Sequence, residues 1–351
     1  MTSTQPGGRR RLDASVTPAY DTPTRGPRLG SPTAQRWAVT AWFAVWVLST
    51  LAAATAVVDV NAPSWIERPA AGIVMVAFAV GLTHRCGGRM RIWPVLAAAH
   101  ALGATVLDHQ GVIASAAVVT AVLGSVFALM VTRPAPTIPA AIREYALALV
   151  VALSGTVAVA AWNAPAEPAR FNLVVLFLAL GLIIGIVWSL GAGLHGLGRE
   201  GLAVLIGGAV LLALILAYSS FVRAYGSDSL MSTLDDLIVW MRLNITGVPR
   251  PVEVFIGFPA LILGVSLRSR RREGWWVLVF AVVGTGVMTT SLVNPEARPT
   301  YIALSTLYSA ILGLALGLTA RHFLVRDNKS RRLRAFEQVQ RTEPPRIAAL
   351  N

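Results

Sequence analysis

Cysteine is almost missing from this chain. Cys86 is the only one in 351 residues, which excludes an intrachain disulfide and any metal site built from several thiolates. Lysine is as scarce: of 30 basic residues 29 are Arg and one is Lys329. With abundant Ala, Val and Gly, that bias has the stamp of a GC-rich bacterial genome. Charge of either sign is thin, 13% of residues against about 25% in a soluble domain. Catalytic signatures are missing too. There is no G-x-x-x-x-G-K-[ST], H-E-x-x-H or G-x-S-x-G, so nothing points to nucleotide hydrolysis or hydrolase chemistry. The stretch Gly191-Ala-Gly193-Leu-His-Gly196 fits G-x-G-x-x-G, but a dinucleotide site needs a preceding strand. This one joins two apolar runs and reads as a flexible glycine loop.

What the chain does have is long apolar runs. Hydrophobic residues make up 55% and mean hydropathy is +0.63, which makes it an all-α polytopic membrane protein. Ten apolar segments stand out, at 37–58, 69–83, 92–107, 111–132, 145–163, 171–190, 201–221, 253–267, 274–293 and 301–319. A 30 Å hydrocarbon core needs about 20 helical residues, so the second, third and eighth are short and depend on flanking residues or local thinning.

Charge sets the orientation. With ten spans and a cytoplasmic N-terminus, 24 basic residues fall inside and 6 outside, a strong positive-inside asymmetry. Net charge is then +16 inside and −3 outside. Omitting one short span would move Arg85–Arg91 or Arg268–Arg272 to the other side. The expectation is therefore about ten transmembrane helices in a bacterial cytoplasmic (inner) membrane, with both termini cytoplasmic. The formal charge of +13 is a topology signal and an attraction to anionic lipid headgroups on the cytoplasmic side; no nucleic acid partner is expected. Trp37, Trp65, Trp93, Trp162, Trp188, Trp275 and Trp276 fall near span ends, where amphipathic rings belong.

The chain then divides into three regions: a polar N-terminal tail, 1–36, too poor in apolar residues to fold alone; a transmembrane domain, 37–319; and a basic tail, 320–351, expected to continue the last span as a helix along the inner surface and to fray at Pro344-Pro345. Inside the domain, 222–252 is the long polar connection that the charge pattern places outside. Leu230, Leu234, Leu237 and Met241 share one helical stripe there, and Gly247 and Pro249 end it. The reading is one amphipathic outer-face helix over 229–243, a lid or docking surface.

Candidate site residues are few. No charged side chain falls in the middle of an expected span, which argues against a carrier using an intramembrane carboxylate. His100 is the one titratable group near mid-span; it serves a substrate path or, more plainly, a helix–helix hydrogen bond. Spans three and eight are both short and carry proline (Pro94; Gly257-Phe-Pro259), the pattern of broken helices at the midplane of inverted-repeat carriers. His100, Gly257 and Pro259 therefore mark a candidate substrate path. Asp235, Asp236, Trp240 and Arg242 mark a candidate outer contact. Adjacent helical positions diverge by about 100°, so Asp235 and Asp236 read as a wet face and not as one metal site. Asp59 resembles the outer-face acid of lipid-linked glycosyltransferases, on a much shorter loop. Gly181-x-x-x-Gly185 and Gly313-x-x-x-Gly317 read as close packing within the fold. His84, His109, His195 and His322 are not spaced as ligands, and no catalytic, cofactor-binding or metal-ligating set is assigned. The leading function is a transporter or permease for a small or amphipathic solute. The alternatives are a membrane scaffold or accessory subunit of a cell-envelope complex, with a membrane-protein partner, and an enzyme on a lipid-linked substrate at the outer leaflet.

Overall fold

A computed structural model describes residues 32–58, 63–190, 206–207, 210, 228–269, 274–294, 298–326, 343–344, 346 and 348–350. The chain divides by its contacts between Trp42 and Phe43. In the first unit the described residues are the opening turns of α1 (Pro32–Ala54), where Thr40 Oγ1 donates to the Arg36 carbonyl at 3.0 Å. The second unit holds the rest of the chain, and its regular structure among the described residues is all helix.

After α1 come α2 (Glu67–Arg85), α3 (Trp93–Val106), α4 (Gln110–Met130), α5 (Ile138–Ala161), α6 (Pro168–Ser189), α7 (Asp228–Ile245), a π-turn (Glu253–Gly257) leading into α8 (Phe258–Arg268), α9 (Gly274–Thr290) and α10 (Pro299–Arg326). Local chemistry explains several starts. Thr137 Oγ1 accepts from the Ala140 amide at 3.3 Å ahead of α5, and His109 Nδ1 accepts from the Gly111 amide at 3.2 Å ahead of α4. Each satisfies a donor that the first turn leaves open. Pro94, Pro139 and Pro168 sit in first turns, where a missing N–H costs nothing.

Six helices among the described residues are long and apolar enough to cross a membrane, and Trp93–Val106 and Gly274–Thr290 are shorter apolar helices. The segment expected to be the short second span is a full one, because the helix extends to Glu67 and Arg85. The third stays short at 14 residues. The expected seventh span, 201–221, and the Gly191–Gly196 loop lie outside the described residues, apart from 206–207 and 210.

α9 runs through the middle of the bundle, packed by α4, α5, α6 and α8, with most of its side chains buried. Helices in lipid gain little from apolar burial against each other, so close approach and hydroxyl hydrogen bonds hold them. Both occur here. Thr156 Oγ1 donates to the Met288 carbonyl at 2.9 Å and Thr285 Oγ1 to the Ser125 carbonyl at 3.1 Å. Gly257 meets Gly284 so closely that a Cβ on Gly257 would lie 2.3 Å from the Gly284 Cα. Gly313 and Gly317 pack against Phe258, Pro259 and Ile262 of α8, as intrachain packing predicts. Gly181 and Gly185 do not: a Cβ at either meets nothing within 4 Å. The spacing is there, but that face of α6 turns away from its described neighbours.

All seven tryptophans expected near span ends lie at helix ends, but they differ in exposure. Trp37, Trp65, Trp93 and Trp188 are exposed, whereas Trp162, Trp275 and Trp276 are buried. Trp162 Nε1 donates to Thr120 Oγ1 at 2.9 Å, giving its polar edge a partner inside the core.

A candidate solute site at a broken helix

α10 serves as a ruler for the chain beside it. The Arg242 guanidinium lies over the Tyr301 ring, 5.9 Å from its centroid. Ile245 accepts from Tyr308 Oη at 3.0 Å. The Val248 amide donates to Ser305 Oγ at 3.0 Å and the Arg250 amide to Ser309 Oγ at 2.8 Å. Lower down, Phe258 packs on Gly313, Pro259 and Ile262 on Gly317, and Arg321 Nε donates to Ser266 Oγ at 2.9 Å. Residues 242–266 thus run parallel to Tyr301–Arg321, which at 1.5 Å per residue is about 30 Å, the thickness of a hydrocarbon core.

That run is helical at both ends and broken between. α7 stops at Ile245; Thr246 takes a left-handed φ of 56° and Gly247 comes next, the usual way a helix ends. A side chain at 247 would strike α10, 2.9 Å from the Ser305 amide nitrogen. Pro249 and Pro251 lack amide protons, so the chain resumes as helix only from residue 251. Two half-helices therefore meet beside α10, roughly 6–12 Å along it from Tyr301. The end of the connection expected outside, 246–252, thus runs alongside α10 together with the segment expected as the eighth span, 253–267.

The break carries charge. Glu253 is fully buried, and Arg250 Nη1 donates to its Oε1 at 2.9 Å and to Thr306 Oγ1 at 3.5 Å. Helix dipoles favour this arrangement: an acid in the first turn of one half-helix, a base beyond the last carbonyls of the other. Glu253 Oε2 makes no hydrogen bond of good geometry among the described residues, and the Ser309 hydroxyl interacts with the same carboxylate. No acid was expected in the middle of a span; Glu253 opens the expected eighth segment, and the structure buries it beside Arg250. Arg250 and Glu253 were missed as a site. Their signal was the R-x-x-E spacing of Arg250-Pro-Val-Glu253, set directly after Gly247 and Pro249.

Just beyond, Pro259 has no N–H, and its ring would clash with the carbonyl four residues earlier in a regular helix. The chain answers with a π-turn in which the Phe258 amide donates to the Glu253 carbonyl, a feature that recurs at functional sites. Gly257 and Pro259 are thus adjacent to the broken segment, in contact with α9 and α10. His100 is elsewhere: its Nε2 is 3.2 Å from Ser115 Oγ, linking α3 to α4. Asp235, Asp236, Trp240 and Arg242 are all exposed on α7, with only Arg242 reaching α10. Asp59 lies outside the described residues. No three His, Cys, Asp or Glu side chains among the described residues are grouped to hold a metal.

A second charged cluster, the tail face, occupies the opposite end of α10. Glu144 is fully buried and accepts from the Arg133 amide (2.9 Å), Arg143 Nη2 (3.0 Å) and both terminal nitrogens of Arg346 (2.7 and 2.5 Å). Arg268 is stacked 3.7 Å over the Trp275 ring, donates to Thr132 Oγ1 at 2.9 Å and pairs with Glu343 at 2.5 Å. Arg85 donates to the Met130 carbonyl at 3.0 Å and to the Ala348 carbonyl at 2.9 Å. Arg85, Arg268 and Arg321 are buried, so these arginines are structural as well as marks of topology. The last span continues as helix to Arg326, as expected, 327–342 lie outside the described residues, and the described residues past Pro344, where fraying was expected, enter this cluster. Compared with protein-family models, with curated proteins and with solved structures, the chain matches none.

Proposed function

We propose that this chain is a carrier of the bacterial cytoplasmic membrane, of about ten spans with both termini cytoplasmic, moving a small polar or amphipathic solute past the break at 246–253. The observation that carries this reading is the buried Arg250–Glu253 pair, set against Ser309 of α10 where the helix is broken. Broken helices in membrane proteins present backbone and charge where a solute binds, and intramembrane charge is retained where it has work to do. Arg250 and Glu253 are the recognition groups, and Gly257 and Pro259 shape the turn beneath them. The basic excess on the tail face supports the orientation and an association with anionic headgroups.

Comparing solute levels in cells and medium between a deletion strain and its parent tests this. One small solute should change its distribution on deletion, and the wild-type chain should restore it while Glu253→Gln does not. Restoration by Glu253→Gln would remove Glu253 from the path, and an unchanged solute profile would remove the carrier reading. A scaffold role draws on α7, whose Leu237, Val239, Trp240 and Leu243 are exposed. It predicts that substitutions on that face, and not at Glu253, reproduce the deletion.

A further inference from the structure

The tail face holds its own ligand. Residues 343–350 are separated from α10 by residues 327–342, yet they reach back to helices far apart in sequence. Four contacts fix them. Glu343 pairs with Arg268 at 2.5 Å and approaches Arg85 at 3.8 Å. Arg346 grips Glu144 with both terminal nitrogens. The Ala348 carbonyl accepts from Arg85 Nη1 at 2.9 Å, and the Leu350 amide donates to the Arg85 carbonyl at 3.0 Å. The segment thereby bridges α2, α5 and α8.

We infer that the socket of Arg85, Thr132, Glu144 and Arg268 is a peptide-docking site, and that the chain's own 343–350 segment occupies it as a releasable strap across the tail face. The chemistry of the contact carries this. The socket side chains are buried, whereas the docked residues are only half-buried, so the segment covers the charges without entering an apolar core. A permanent closure gains as much from apolar packing, because a buried ion pair roughly breaks even with an apolar replacement. Ion pairs differ in the state that release leaves behind: guanidinium and carboxylate groups regain water, so the open socket is a stable state and not an exposed core. Each anchor is a charge-assisted or backbone hydrogen bond, and the two ion pairs weaken with salt wherever water reaches them. The occupant is specified by an acid that meets Arg268, an arginine three residues on that meets Glu144, and a free backbone edge beside Arg85. Docking of the strap is independent of the solute path.

The single native cysteine makes a test in the full-length chain. Leu350 hydrogen-bonds the peptide unit that leads into Cys86, so near pH 10, where the buried Cys86 thiol begins to ionise, Leu350→Cys should form an intramolecular disulfide with it under oxidation. Adding Arg346→Ala or Arg346→Glu should slow that cross-link at least ~10-fold, and raising salt should slow it in the parent. Pairing Arg346→Glu with Glu144→Arg should restore the rate to within ~2-fold, since the exchanged charges pair again. Arg346→Ala leaves the buried socket untouched, so folding of the swapped variant is not a precondition. A cross-link that never forms, or one indifferent to Arg346 substitution, would overturn the docking site. One that is sensitive to Arg346 but not to salt would overturn release.

Discussion

The Val248 amide donates to Ser305 Oγ at 3.0 Å, and one helical turn further on the Arg250 amide donates to Ser309 Oγ at 2.8 Å. Two hydroxyls on α10 thus take the donors that the broken helix leaves open, and both serines are buried. Replacing Ser305 or Ser309 by Ala should cost about 1–3 kcal/mol each, the penalty of an orphaned buried amide. Because the two serines support one segment, their combined effect should not be additive. Thermal unfolding of the purified variants checks this. Melting unchanged by both substitutions would mean the break holds itself.

Helix crossing is equally exposed to test. Gly257→Ala places a Cβ 2.3 Å from the Gly284 Cα, against backbone that has no flexible end to move. Overpacking of this kind costs about 1–3 kcal/mol and often more. Gly181→Ala, with nothing within 4 Å, should stay within about 0.5 kcal/mol of the parent. Folded yield and melting temperature of the two variants should therefore separate clearly.

Cys86 should be a sluggish thiol. Burial pushes its pKa up to about 11, with the neighbouring Arg85 guanidinium opposing it only in part. Thiolate is the reactive form, so near neutral pH its fraction is about a hundredfold below that of an ordinary cysteine. Maleimide labelling of the folded chain should be correspondingly slow and should rise about tenfold per pH unit up to pH 10. Fast labelling that levels off near pH 9 would contradict the assignment.

Composition and charge were enough to reveal a helical chain with several helices long and apolar enough to cross a membrane, because lying in lipid demands long apolar runs and their repetition reinforces the signal. The Gly313–Gly317 contact was legible for a similar reason: small residues one turn apart admit a backbone. The break was not. Apolar-run length treats Thr246–Val252 as loop, and only the register against Ser305 and Ser309 of α10 places it beside a span. Glu144 and Glu253 fell at the edges of runs and looked solvated; it takes Arg346 in one case and Arg250 in the other to bury them. The tail face was hidden by distance in sequence, since nothing local in Glu343-Pro-Pro-Arg346 announces Arg268 or Glu144 as a partner. Trp162 and Trp275 show the same limit, because position near a span end does not say whether a ring faces lipid or core.

A carrier needs water and solute to reach the segment between α7 and α8. In a cysteine-free background made by Cys86→Ser, Val248→Cys puts one thiol in that segment, and Ala281→Cys puts one in the buried middle of α9. A membrane-impermeant thiosulfonate reagent applied to the folded chain in vesicles should modify Val248→Cys and leave Ala281→Cys untouched until the protein is denatured. If Val248→Cys proves as unreactive as Ala281→Cys, no aqueous path reaches the break and the carrier reading fails.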